Sequence, residues 1–348
     1  LFIVLIILIL SIGLFNILPN ELIQNIFEYL PLETLMVCED VCERWKKLTQ
    51  DISLWKKFLI IYSGKPGQEE ESEKSLQIIN SHGEFISRLK IRYVYSYPLL
   101  QSIMKKCSNL ISIELVMCRI GKEFEVDLEQ WTKLQRINLK NSLLLYNEVD
   151  MEIQYDKFKK LNSLSLSDFG LSLVNCNTLL KCNNLSHILI EKIKHLNVEF
   201  IKEILKNKWK ILQSFHIYGG DAVDDDCLRL MSQCVVLQDL VIIRCENLTD
   251  TGLLALTNLK QIQQLQIWNN ENFSEKALHL TLQSPSFVKL QALSLSRIGN
   301  ISPVIVDIIS EYYTNLNFLV LYQCRRIINT DYEKQLKSKF RNIDVVLY

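Results

Sequence analysis

From Ile86 to the end of the chain, one pattern of apolar and polar positions recurs. Apolar anchors fall at Ile86, Leu110, Leu134, Leu161, Leu185, Leu212, Leu237, Ile262, Leu290, Leu316 and Phe340, at intervals of 24 to 28 residues. In every unit the positions three and five after the anchor are also apolar, as at Leu89 and Ile91, Ile137 and Leu139, or Leu319 and Leu321. Alternation of this kind predicts a short strand in each unit. The unit from Leu237 to Leu253 continues through Cys245 and Leu248. Thr249 and Asp250 there suit a helix N-cap, with Leu253 and Leu256 on one helix face. One such unit cannot bury its own apolar side, so the pattern predicts stacked neighbours.

The position eight after each anchor turns the chain and favours a small or hydrogen-bonding side chain. Cys118, Ser142, Gly220, Cys245, Asn270 and Cys324 fit this, while Val94, Phe169, Ile193 and Ile298 predict irregular turns. The motif L-x-x-L-x-L-x-x-C-x-x-L resembles the cysteine-containing leucine-rich repeat. That resemblance implies an α/β solenoid over 81–348, with a parallel sheet on the concave face and helices on the convex face.

A different pattern precedes the repeats. Leu22, Ile23, Ile26, Phe27 and Leu30 recur at helical spacing after Pro19, and Pro31 ends that helix. Further helical runs hold Leu35, Val37 and Cys38, then Val41, Cys42, Trp45 and Leu48, then Leu54, Trp55 and Phe58 behind a Ser53 cap. About 45 residues bury little alone, which predicts apolar surface left for a partner. The sequence Leu18-Pro19-x-Glu21-Leu22-Ile23, with Ile26-Phe27-x-Tyr29-Leu30-Pro31, Val41-Cys42-x-Arg44-Trp45 and Leu54-Trp55, resembles the F-box motif over 18–62. The resemblance implies a small all-α domain docking to the Skp adaptor of cullin–RING ubiquitin ligases. It assigns adaptor binding to Leu18, Pro19, Leu22, Ile23, Ile26, Phe27, Leu30, Pro31, Leu35, Val41 and Trp45.

The Gly-, Pro- and Glu-rich stretch Ser63–Lys74 reads as a solvated linker, with a short covering helix over Ser75–Asn80, so that 63–80 is linker and cap. At the other end, Leu1–Phe15 is almost wholly apolar. Its fifteen residues reach only about 22 Å as a helix, short of the roughly 30 Å bilayer core. Three readings of 1–17 stay open: a truncated or mis-assembled terminus, a membrane or signal segment extended upstream, or a buried extension.

Composition narrows the function classes. The 348 residues hold 39 Lys plus Arg against 39 Asp plus Glu, a balance that argues against nucleic acid or acidic membranes as partners. Cys107, Cys182 and Cys234 stand three before an anchor, while Cys118, Cys245 and Cys324 take the turn position. Equivalent positions of distant repeats are too far apart to bridge, so the thiols are expected reduced and the protein cytoplasmic and/or nuclear. No phosphate-binding loop, H-E-x-x-H or C-x-x-C pair occurs, and Asp224-Asp225-Asp226 reads as a capped helix start rather than a calcium loop. His187 and His216 fall on neighbouring strands and read as exposed histidines rather than metal ligands. No catalytic residue, metal or cofactor is expected.

Residues flanking the buried strand positions should face the concavity. They are basic at Arg88, Lys90, Arg92, Arg136 and Lys140, and small at Ser163, Ser165 and Ser167. Further on they are His216, Tyr218, Val241, Ile243, Trp268, Phe318, Val320 and Tyr322, an apolar and aromatic row predicted to bind a protein substrate. Together the resemblances imply a non-catalytic substrate receptor of an SCF-type ligase, bound through the adaptor to a cullin. The alternative is a scaffold with no ubiquitination role, membrane-tethered or free.

Overall fold

The computed structural model describes residues 17–121, 124–141, 143–144, 153–168, 173–193, 196–219, 223–298, 301–324, 331–340 and 344–347. Leu1–Phe15, and the turn positions Ser142, Phe169 and Gly220, lie outside the described residues. The chain forms two compact units, Leu1–Ile113 and Glu114–Tyr348. This division differs from the expected ones near 62 and 80, and the first unit shows why. Its strands β1, Ile60–Ser63, and β2, Arg88–Arg92, pair in parallel, so the segment after the helical block joins sheet structure at once.

The helical block consists of α1, Asn20–Phe27; α2, Leu32–Glu39; α3, Glu43–Thr49; and α4, Ile52–Trp55. Pro19 and Pro31 sit at the N-caps of α1 and α2, where a missing N–H costs nothing. Asp51, not Ser53, caps α4: its carboxylate accepts the Ser53 N–H at 2.8 Å. Ile23, Phe27, Leu30, Leu35, Cys38, Trp45, Leu54 and Trp55 form the core. Phe27 and Trp45 meet edge to face at 5.2 Å between ring centroids. Arg44 ties α3 to the start of α1 by donating to the Asn20 side chain at 2.8 Å and to the Leu18 carbonyl at 2.5 Å.

The expected linker is partly helical. Helix α5 runs Glu69–His82 and takes in the whole acidic run. Glu69, Glu70 and Glu71 occupy its first turn, where the positive end of the helix dipole favours them. His82, at its last position, is buried, stacks 5.1 Å from Trp55 and bonds Glu39 of α2 at 2.8 Å. α5 is therefore fastened to the helical block through both an aromatic and a polar contact. After β2, helix α6 covers Tyr97–Lys106.

Strand β3, Ser112–Val116, spans the division, and the second unit repeats strand and helix from there. Among the described residues, the further strands of its main sheet are β4, Arg136–Lys140; β5, Ser163–Ser167; β6, His187–Glu191; β7, Ser214–Tyr218; β8, Asp239–Ile243; β9, Gln264–Trp268; β10, Ala292–Ser296; β11, Phe318–Leu321; and β12, Asp344–Leu347. All pair in parallel with their sequence neighbours. Equivalent residues align, as Leu240 does with Phe215 and Leu265, so the positions predicted buried form unbroken apolar ladders. Helices of the other layer include α7, Phe124–Glu129; α8, Leu173–Leu180; α9, Val198–Lys208; α10, Asp225–Met231; α11, Asp250–Ala255; α12, Glu275–Leu282; α13, Pro303–Tyr312; and α14, Asp331–Lys339.

The helix layer carries its own ladder. Asp224 caps α10 and Thr249 caps α11, as the sequence predicts. One residue on, Asp225 accepts from the Thr249 N–H at 2.8 Å and from its hydroxyl, and Asp250 accepts from the Ser274 N–H at 2.7 Å. Glu275 receives the Ser302 hydroxyl in the same way. Each helix start thus holds the cap of the next. A Cβ on Gly252 would stand 3.1 Å from the Asp225 Cα, so glycine is needed for this close approach.

The turns after the strands differ from expectation. The chain reverses at position seven after the anchor, where Tyr93, Met117, Asn141, Asp168, Lys192, Gly219, Arg244, Asn269, Arg297 and Gln323 all have positive φ between 48° and 82°. Position eight is buried at Val94, Cys118, Cys245, Asn270, Ile298 and Cys324. An apolar side chain there is therefore accommodated, and the turns before Val94, Ile193 and Ile298 have the same left-handed corner as the rest. The corner N–H groups from Met117 to Arg297 continue the sheet: Lys192 donates to Tyr218, Gly219 to Ile243, Arg244 to Trp268, Asn269 to Ser296 and Arg297 to Tyr322, at 2.7 to 3.0 Å. That cross-repeat bond offsets part of the cost of placing a side-chain-bearing residue in the left-handed region.

Candidate functional site

The strand ends and left-handed corners of β6 to β11 line a half-open cavity of about 450 Å³. Its wall follows one residue per repeat: Glu191, Tyr218, Ile243, Trp268, Ser296 and Tyr322. These stand side by side, since Tyr218 is in register with Glu191 and Ile243, and Trp268 with Ile243 and Ser296. Large rings alternate with smaller side chains, so Tyr218, Trp268 and Tyr322 project while Ile243 and Ser296 lie buried between them. The rim comes from the corners Lys192, Gly219, Arg244, Asn269 and Arg297.

Several contacts fix this wall. The Trp268 indole N–H donates to the Ser294 hydroxyl at 2.7 Å, which sets the plane of the ring. Arg297 donates to the Gln323 side-chain amide oxygen and lies 5.9 Å from the Tyr322 ring centroid. Glu191 is engaged by the Ser167 hydroxyl at 2.9 Å. Burial, then the nearby Glu191 and Asp239 carboxylates, push the Tyr218 phenol up from its ordinary value, so it stays a neutral hydrogen-bonding group. The side chains of Lys192 and Arg244 have no hydrogen bond or ion pair among the described residues.

Of the predicted substrate residues, Tyr218, Ile243, Trp268 and Tyr322 come together in this cavity. Ile243 is its buried floor rather than an exposed contact. Val241 and Val320 are also buried, against expectation. Val241 lies between His216 and Gln266 of the flanking strands, whose larger side chains shield it. His216 is half-buried and bonds Asp239 at 2.6 Å, outside the cavity lining. Phe318 is exposed at the start of β11, away from the cavity. Lys192, Arg244 and Arg297 were missed because the corner position, not a strand position, presents them.

The first unit presents a different surface. On α1 and the turn that follows it, Ile23, Phe27 and Leu30 form one apolar stripe, and Leu22, Ile26 and Tyr29 form a second beside it. The first stripe is core, and the second is exposed, with Tyr29 at 85%. Pro19, Pro31, Val37 and Val41 are exposed as well, and Leu18 is half-buried. The adaptor assignment therefore divides. Ile23, Phe27, Leu30, Leu35 and Trp45 are buried packing residues with no free surface, whereas Pro19, Leu22, Ile26, Pro31 and Val41 are accessible.

None of the ten cysteines is in a disulfide, and most are buried. Burial pushes the Cys107, Cys234, Cys245 and Cys324 thiols up to about 12, which leaves them unreactive small apolar side chains.

Comparison with known proteins agrees with both halves of this description. A family model described as F-box-like matches residues 15–61. A putative F-box/LRR-repeat protein 23 of Arabidopsis thaliana is 26% identical over 260 residues, 73% of this chain and 53% of that protein. The chain thus spans about half the length of the curated relative it matches. The solved structure of the yeast Rad7 and Elc1 complex has a TM-score of 0.52 at 15% identity, covering 77% of this chain and 76% of that chain. At that identity the likeness concerns the fold, here a solenoid of leucine-rich repeats.

Proposed function

From an F-box-like domain followed by a leucine-rich-repeat solenoid, we infer that the protein is the substrate-recognition subunit of an SCF-type cullin–RING ubiquitin ligase. F-box domains bind Skp-like adaptors, and proteins joining them to leucine-rich repeats are generally substrate adaptors rather than catalysts. The neighbouring Rad7 structure is itself a complex with Elc1. In this reading the helical block docks on the adaptor and through it on a cullin. The solenoid holds a protein, and ubiquitin transfer follows from proximity.

The observation that carries this reading is the second stripe of α1. Leu22 and Ile26 are apolar, share a helix face and, with Tyr29 in the turn that follows, are uncovered, on a domain whose core is already filled by the neighbouring stripe. Reduced, mostly buried thiols suit a cytoplasmic or nuclear location. The test is affinity purification from cell extract of the full chain and of a Leu22→Ser, Ile26→Ser variant, probed for adaptor and cullin. Point substitutions are preferable to deleting the block, because Trp55 and Glu39 also hold His82 of α5. Loss of both proteins from the variant supports the reading; equal recovery from both chains refutes it.

A further inference from the structure

The cavity on β6 to β11 is divided by its own rings. Neighbouring parallel strands lie about 4.8 Å apart, so Tyr218, Trp268 and Tyr322, on every second strand, stand roughly 10 Å from one another. Two slots result. One has Ile243 as its floor, Tyr218 and Trp268 as walls, and Arg244 at the corner directly after the floor residue. The other has Ser296 as its floor, Trp268 and Tyr322 as walls, and Arg297 at the corresponding corner. The floors differ: Ile243 is apolar, while the buried Ser296 hydroxyl has no hydrogen-bond partner among the described residues.

Charge at this rim is one-sided. Lys192, Arg244 and Arg297 stand along it, and the one carboxylate of the lining among the described residues, Glu191, is at the end away from the two arginines and engaged by Ser167. Among the described residues Arg244 and Lys192 are unpaired, and Arg297 is held by a neutral amide and a ring alone. Unpaired cations next to an aromatic wall form a site for an anion with a flat or apolar body behind it. The two arginines follow floors two strands apart, again roughly 10 Å. In an extended polyproline-like chain, residues three apart share a side and lie about 9 Å apart.

We propose that this cavity binds an extended acidic segment of a partner protein, with anionic side chains three residues apart placed on Arg244 and Arg297. The backbone crosses Trp268, and the Ser296 hydroxyl donates to the anion in its slot. Carboxylate and phosphorylated side chains share this chemistry. The proposal deepens the reading of the second unit as the recognising part, but its test does not depend on the adaptor.

The full chain is titrated with three labelled, end-capped eight-residue peptides, followed by fluorescence anisotropy. One carries glutamates three positions apart, one phosphoserines at those positions, and one glutamines. Binding of the acidic peptides at least tenfold tighter than the glutamine peptide is expected, weakening as salt rises. Arg244→Ala with Arg297→Ala should remove that difference without moving the melting temperature, since both side chains are exposed. The exposed Arg229→Ala of α10 serves as the control and should change nothing. A phosphoserine peptide tighter than the glutamate one identifies phosphate as the group recognised; the reverse order identifies carboxylate. Equal binding of the glutamine peptide, retained binding by the double variant, or no binding of either acidic peptide overturns the proposal. A failure of adaptor binding would leave these titrations untouched.

Discussion

The helical block and the solenoid finish their surfaces in opposite ways. The block has too few residues to cover its own apolar side chains, so α1 buries one stripe and leaves Leu22, Ile26 and Tyr29 in the open. The solenoid covers its repeated apolar positions by stacking and leaves only scattered apolar side chains, such as Val235, Val288 and Val304, exposed among the described residues. Its strand positions, its turn position and even the concave Val241 and Ile243 are buried, and what remains at the cavity rim is cationic. An uncovered apolar helix suits a permanent partner met face to face. A cationic, ring-lined slot suits a short segment recognised by charge.

The largest effect should come from breaking the ladder. Phe215 of β7 is fully buried, so Phe215→Ala should cost about 3–5 kcal/mol, read as a fall in the denaturant midpoint. The same measurement on Leu22→Ala should give under about 0.5 kcal/mol, because that side chain is already exposed. A comparable loss in both would erase the contrast between the two surfaces.

Gly252→Ala should be next, at roughly 1–3 kcal/mol, because the new methyl group meets Asp225 and disturbs its hold on Thr249. Chemical denaturation of the variant checks this, and an unchanged midpoint would show that the helix starts are not coupled. Trp268→Ala should cost about 1 kcal/mol, mainly by stranding the buried Ser294 hydroxyl, while Tyr322→Ala should cost less. A thermal melt of the pair separates wall from core.

Much of this was legible in the sequence, for a physical reason. A period of about 25 with apolar residues at three and five fixes strand register, because equivalent residues must lie side by side in stacked repeats. The corners were not legible. Tyr93, Met117, Lys192, Arg244 and Gln323 share no chemistry; they share a backbone angle. Nor was the fate of Val241, since its cover comes from His216 and Gln266, about 25 residues away on either side. The two stripes of α1 read as one apolar helix until packing separated Ile23 and Phe27 from Leu22 and Ile26. The acidic run read as a loop by composition, although three glutamates at a helix N-terminus are favourable.

The smallest expected effect is chemical. Cys42 is exposed, whereas Cys107, Cys245 and Cys324 are buried with thiols pushed up to about 12. Alkylation of the native protein at neutral pH, read by mass spectrometry, should label Cys42 first, and all ten cysteines only after denaturation. Early labelling of the solenoid cysteines would mean that the repeats open far more readily than their packing implies.

In the proposed function the two surfaces serve different partners. Calorimetric titration of purified Skp adaptor into three chains tests it directly: the unaltered protein, Leu22→Ser with Ile26→Ser, and Arg244→Ala with Arg297→Ala. Removing apolar anchors of an interface typically costs about 2 kcal/mol or more, roughly thirtyfold in affinity. Such a loss is expected for the α1 variant and none for the arginine variant, with matching melting temperatures. Adaptor affinity that survives the α1 substitutions, or that falls with the arginines, would contradict it.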